Sequence, residues 1–371
     1  MGTKTENLNS MVTNKYEQLN SLPRPYPDAE LWKITLETGF QMYPERKENY
    51  LKFQNAKRGE TLDYLPIQLD IETISRCNYR CKMCQVSDWE NSTRATDMSF
   101  EDYKNIIDAQ YGLIEVKLQG MGEPLLSKDF FKMIEYARKR YLWVRSTTNA
   151  SLLHVDENYK EVLNSDICEL QVSIDGASKE SFEMIRRGGK FNRVKENCVL
   201  LNNYGRKINK KRTRMWTVVQ QDNFHELKNF PKAAAEMGFE RMTMTLSLNR
   251  WGKDHWIESS EKECVFDLFD VTDADELIAI GNKYGVEVTF WFADKKFDAS
   301  DPKKLCPMPF QRFYITSDMK IVPCAGVGDP RTYCLGDARK ITEEWNSKKM
   351  SAFRRTHFDG NFMHFCTSCY K

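Results

Sequence analysis

Hydrophobic and polar positions change period along this chain. Residues 1–65 are mostly polar, with aromatics scattered through them (Tyr16, Trp32, Phe40, Tyr43, Tyr50, Phe53) and a Pro-rich breaker at Leu22–Pro27. They predict a helical arm packed on a larger body. From residue 66 short β-rich runs recur: PIQLDIE, EVKLQG, YLWVRSTTN, ELQVSID, MWTVVQ and ERMTMTLS. Longer helix-compatible stretches such as SKDFFKMIEYARKR and NRVKENCVLLNNYG lie between them. Six strands alternating with helices predict parallel βα units, which carry their chemistry at the C-terminal strand ends.

The alternation stops near residue 248. Beyond it lie a loop (SLNRWGKDHW), a helical stretch, the strand-like VEVTFWF and a hairpin around Ser317-Asp318, then the helix ITEEWNSKKMSAFRR. This predicts an arm over 1–65, a barrel over 66–248, and a linker with a small α+β domain over 249–371.

Composition bounds the function. Of 371 residues, 41% are hydrophobic and 29% charged, enough apolar mass for a sizeable core. The net charge of +2 lacks the basic excess of a nucleic-acid binder. The N-terminus has no apolar signal region, and Glu6 stands where a myristoylation signal needs Ser or Thr. No apolar run is long enough to cross a membrane. A cytoplasmic protein is expected, with reduced thiols.

Eleven cysteines then become informative. Cys77, Cys81 and Cys84 are spaced C-x3-C-x2-C just after the first predicted strand. Three thiolates can wrap one face of an iron–sulfur cluster, leaving one iron open. Structural zinc would want a fourth ligand nearby. A second set, Cys306, Cys324, Cys366 and Cys369, supplies four thiolates, and spacing alone leaves zinc as a rival there.

The three-cysteine loop and the strand-end motifs of residues 120–223 resemble the radical S-adenosylmethionine (SAM) superfamily. Gly120-Met121-Gly122-Glu123-Pro124 is similar to that family's GGEP turn, with Met121 in place of a glycine. Thr148-Asn149-Ala150 and Ser173-Ile174-Asp175-Gly176 resemble its later strand-end motifs, and VVQQDN its adenine-lining segment. The resemblance implies a partial (β/α)6 TIM-like barrel and a 4Fe–4S cluster on Cys77, Cys81 and Cys84. It implies SAM held by Gly120, Gly122, Glu123, Asn149, Ser173 and Asp175, with Arg187 on the SAM carboxylate and Arg186 as a substitute. Met83 stands where an aromatic residue usually touches the adenine. The activity implied is reductive cleavage of SAM to a 5′-deoxyadenosyl radical, fed by an external donor such as flavodoxin or ferredoxin.

The residues around the second cysteine set resemble the SPASM or shorter Twitch extension of these enzymes. That implies an auxiliary 4Fe–4S cluster on Cys306, Cys324, Cys366 and Cys369. Met319 replaces the usual hairpin glycine. Cys168 and Cys198 read as buried small hydrophobes, Cys334 as either, and Cys264 as a candidate hydrogen-atom donor. The expected substrate is a small polar molecule, a carbohydrate or aminocyclitol, undergoing alcohol oxidation or epimerisation. A peptide- or protein-modifying maturase is the alternative, and a non-catalytic iron–sulfur or zinc protein a second.

Overall fold

In the computed structural model, residues 18–292 and 296–370 are described. The expected arm's first seventeen residues lie outside them. Ten strands form one sheet in the order β10-β9-β8-β1-β2-β3-β4-β5-β6-β7. They are β1 Gln68–Ile71, β2 Glu115–Leu118, β3 Trp143–Thr148, β4 Glu169–Ser173, β5 Thr213–Val218, β6 Arg241–Thr245, β7 Glu287–Trp291, β8 Arg312–Ile315, β9 Lys320–Val322 and β10 Gly336–Asp337.

β1 to β6 are the six predicted strands, each parallel to the next. Two further strands join them. β7 pairs parallel with β6, and β8 pairs parallel with β1 on the other side. The sheet therefore runs through the boundary expected near residue 248. Only β9 and β10 are antiparallel, completing the predicted hairpin and one more short strand.

Side-chain alternation explains how the sheet curves. Leu69, Ile71, Val116, Leu118, Val172, Met244 and Phe290 point one way, into the main core. Their neighbours point the other way. Tyr314, Asp70, Lys117, Thr147, Gln171, Trp216, Thr245 and Trp291, one from each of β8 and β1–β7, line a single cavity. The α/β architecture is thus a sheet wrapped around a polar interior, a partial barrel with apolar residues facing the helices.

The helices have local reasons to start where they do. Ser99 caps the helix Phe100–Ala109 by accepting from the Asp102 N–H at 3.0 Å, with Glu101 and Asp102 in its first turn. In the arm, the helices Ala29–Met42 and Pro44–Asn55 pack on the base of the barrel. Trp32 meets Trp143 edge-on at 5.2 Å, and Arg46 donates to the Arg140 carbonyl at 2.7 Å. The preceding loop reaches the sheet as well. The Pro23 carbonyl accepts the Phe290 N–H at 2.8 Å, and the Tyr26 carbonyl accepts from Arg214 at 2.9 Å. The N-terminal segment therefore packs against the starts of β3 and β5 and meets the free edge of β7. Among the described residues no helix is long and apolar enough to cross a membrane.

Candidate active site

The loop after β1 carries Cys77, Cys81 and Cys84, and neighbouring elements hold it from several sides. Its Arg80 and Lys82 N–H groups donate to the Arg187 and Ile185 carbonyls at 2.9 and 2.8 Å. The Lys82 ammonium pairs with Asp222 and Glu263 at 2.6 and 2.7 Å. Trp251, from the loop after β6, donates its indole N–H to the Met83 carbonyl at 3.0 Å. Trp251, Trp256, Trp89, Val86 and Met121 form a separate apolar cluster, against which Cys77 and Cys84 pack. The polar-aromatic stretch 251–256 is thus a wall of this site.

Two glycines let the next turn come close. A Cβ on Gly122 would sit 2.6 Å from the Arg76 carbonyl oxygen, and one on Gly120 would overlap the Glu72 side chain. Glu123 comes next, buried. It accepts from the Thr148 hydroxyl at 2.6 Å and from the Asn149 N–H at 2.7 Å. Burial pushes its carboxyl up to about 7, against the pull of these hydrogen bonds and of Arg186. Asn149 reaches back to Asn78 at 2.9 Å and to the Cys77 sulfur at 3.9 Å, tying the β3 end to the cysteine loop.

All of this faces one cavity of about 350 Å3. Cys77, Cys81, Cys84, Met83, Gly120, Gly122, Glu123, Asn149 and Ser173 all line it. Three of the expected site residues are corrected. Arg187 is exposed, whereas Arg186 is buried and lines the cavity. The two come just after the helix Lys179–Ile185, where consecutive side chains diverge, and only the first turns inward. Asp175 is fully buried and does not line the cavity. It accepts the Val218 N–H at 2.8 Å and pairs with Arg186 at 2.6 Å, so it positions that arginine. Cys264 also lies outside the cavity. It caps the helix Asp254–Glu263 and packs on the main core.

The donor sets suit iron–sulfur clusters. Burial raises the thiols of Cys77 and Cys84, the latter to about 12, with Glu123 adding to the first and Cys81 to the second. Such thiolates need a cationic core beside them to ionise. In the second set, burial raises Cys306 and Cys366, and charge on Cys324 and Cys369 adds to it. The Cys306 N–H donates to the Tyr370 hydroxyl at 2.9 Å, and the Phe297 N–H to the Cys369 carbonyl at 2.9 Å. Ala325, next to Cys324, lines the main cavity, so the second set borders the first site. Cys334 bonds the Gly336 carbonyl at 3.4 Å instead. Cys168 and Cys198 are buried, as expected.

The sequence matches the radical SAM superfamily model over residues 71–234 and the SPASM iron–sulfur cluster-binding model over 306–370. The chain therefore carries a radical SAM domain over residues 71–234. It carries a SPASM-type extension, and its cofactors are SAM and 4Fe–4S clusters. Over 193 residues it is 28% identical to mycofactocin maturase MftC of Mycolicibacterium smegmatis, covering 52% of this chain and 47% of that protein. The chain thus spans about half the length of the curated relatives it matches. The fold is similar to Streptococcus suis SuiB solved with precursor peptide SuiA, at TM-score 0.62, 16% identity and coverage of 89% and 73%. It is also similar to anSMEcpe solved with AdoMet and the Cp18Cys peptide, at TM-score 0.57, 16% identity and coverage of 82% and 88%. These relatives overturn the expected carbohydrate or aminocyclitol substrate, and with it the small molecule as partner. The sequence relative is a maturase, and both fold neighbours were solved with peptides. The barrel motifs specify SAM and cluster binding, whereas substrate class depends on loops that carry no such motif.

Proposed function

We propose that this chain is a radical SAM maturase that modifies a peptide. The observation that carries the reading is the 28% identity to mycofactocin maturase across 193 residues. Bound to this site, the first cluster and SAM supply reductive SAM cleavage and hydrogen-atom abstraction.

The chain's own residues divide the work of binding. Cys77, Cys81 and Cys84 hold the first cluster. Cys306, Cys324, Cys366 and Cys369 hold the auxiliary one beside the cavity. Glu123, fixed by Thr148 and Asn149, receives the SAM amino group. Arg186, whose buried Nε makes no hydrogen bond, receives the SAM carboxylate, with Asp175 orienting it. Met83, which lines the cavity, would offer its thioether to the adenine. The cysteines lining the cavity are Cys77, Cys81 and Cys84, and Cys264 lies outside, which favours an oxidative outcome over epimerisation. Eleven cysteines outside any disulfide suit a reducing cytoplasm.

The test is anaerobic reconstitution, then incubation with SAM, dithionite and the short peptides encoded beside the gene. The expected result is 5′-deoxyadenosine together with a mass change on one peptide, both lost in Cys81→Ala. Unaltered peptides, with SAM cleavage stimulated by a sugar or aminocyclitol instead, would overturn the reading.

A further inference from the structure

The cavity floor is built from charged side chains on successive strands. Asp70 on β1 is in register with Lys117 on β2 and with Tyr314 on β8. Lys117 is in register with Arg145 on β3, and Arg145 with Glu169 on β4. Parallel partners share a face of the sheet, and Asp70, Lys117 and Tyr314 all line the cavity.

The charges of this floor do not balance. Arg145 pairs with Glu115, Arg312 with Asp70 at 3.4 Å, and Arg214 with Glu169 at 3.4 Å. Arg241 lies 3.9 Å from Glu169, and Arg214 lies 3.9 Å from Glu287. Four carboxylates thus meet five cations, and Lys117 is the cation left over. Among the described residues it makes neither an ion pair nor a hydrogen bond, only longer-range interactions. Burial, with repulsion from Arg145 and Arg312, lowers its ammonium to about 8 against the attraction of Asp70 and Glu115. That still leaves it charged at neutral pH.

A second unpartnered group stands in the same row. Tyr314 is 2% exposed, and its hydroxyl is buried without a hydrogen bond. Burial and the neighbouring carboxylates Glu72 and Asp70 raise it far above an ordinary phenol, so it stays a donor. A half-buried cation facing the cavity without a counter-ion, and a buried hydroxyl without an acceptor, both favour a ligand that completes them.

We propose that this floor is a carboxylate-binding subsite for the substrate, with Lys117 as ion-pair partner and Tyr314 as hydroxyl donor. On the peptide reading above, on which the substrate class rests, the carboxylate is an acidic side chain or a chain terminus. The same cavity reaches Glu123 and the cysteine loop. A substrate anchored at the floor therefore points its remaining atoms at the SAM site.

The test uses the reconstituted full chain with SAM and calorimetric titration of four probes. These are acetyl-Ala-Glu-Ala amide, acetyl-Ala-Gln-Ala as free acid, acetyl-Ala-Gln-Ala amide, and propionate. One acid-bearing peptide should bind ~10-fold or more tightly than the neutral amide, the scale of a hydrogen bond to a charged group. Which of the two does so tells side chain from terminus. The preference should vanish in Lys117→Met, a swap of similar volume, and weaken several-fold in Tyr314→Phe, which removes one oxygen. Equal binding of acid and neutral peptides, no binding by any probe, or a preference that survives Lys117→Met would overturn the subsite. Lys117-dependent binding of propionate but of no peptide would uphold the subsite and count against the peptide reading.

Discussion

Arg186 and Asp175 form an ion pair of 2.6 Å in which the two side chains are 8% and 0% exposed. Asp175 is further held by the Val218 N–H, while the Arg186 Nε remains without a partner at the cavity. Burial works against the guanidinium, but Asp175 and Cys81 carry it above the ordinary arginine value. Removing Arg186 leaves a buried carboxylate alone, which costs roughly 3 kcal/mol or more. Arg186→Met should therefore lower the urea midpoint markedly and abolish measurable SAM binding. Arg187→Met, at an exposed position, should shift stability by no more than about 0.5 kcal/mol. Equal effects of the two variants would refute the assignment of Arg186.

That pair also marks how far the sequence could be read. The cysteine spacings and strand-end motifs were legible because each is local and sits at a strand end. The choice between Arg186 and Arg187 was not, since it depends on where one short helix ends and which way its last turn faces. The run VEVTFWF read correctly as a strand, yet nothing in it names its partner. Its place beside β6, like that of β8 beside β1, comes from tertiary pairing. The alternation in PIQLDIE suggested one polar face. In water-facing sheets that face is wet, but here Asp70 and Glu72 point into the barrel. The unpaired Lys117 comes from the same feature and emerges only when the strands are set in register.

Glu72 links three parts of the molecule. Its carboxylate accepts the Met121 N–H at 3.0 Å and the Ser317 N–H at 3.1 Å, and pairs with Arg94 at 2.5 Å, which also holds Asp318 at 2.8 Å. Gly120 lies directly against it. Gly120→Ala forces a methyl group into Glu72, and overpacking of this kind costs about 1–3 kcal/mol. The variant should show a lower unfolding midpoint and weaker SAM binding together. It should also expose the 317–318 hairpin turn to faster amide exchange, although that turn is almost two hundred residues away in sequence. Exchange confined to residues around 120 would count against the link.

Met319 occupies a left-handed position, φ 65°, where glycine is the usual choice. Strain there amounts to about 1–2 kcal/mol for a residue with a Cβ. The side chain is nonetheless 3% exposed and belongs to the main core. Burying a methionine contributes about 1.5–3 kcal/mol, and a glycine would add backbone freedom to the unfolded chain. Burial outweighs strain, so Met319→Gly should destabilise the protein by about 1 kcal/mol or more. A rise in the thermal midpoint would show that strain dominates.

His357 and Tyr370 give a pH dependence with a definite sign. The His357 Nδ1 and the Tyr370 hydroxyl are 2.7 Å apart, and the hydroxyl already accepts the Cys306 N–H at 2.9 Å. Its own hydrogen is thus free for Nδ1, which must be unprotonated to accept it. Burial, helped by Arg58, lowers His357 from 6.5 to about 4. Between those values the unfolded chain binds a proton that the folded chain refuses. The stabilisation is complete above pH 6.5 and disappears as pH falls toward 4, a loss of about 3 kcal/mol. His357→Phe keeps an aromatic ring among Phe310, Phe353 and Phe362 but cannot titrate. Its unfolding free energy should fall less steeply than that of the parent between pH 6.5 and 4, by about that amount over the interval. Parallel pH profiles for the two proteins would remove His357 from the account of how the tail holds Cys306 and Cys369 in place.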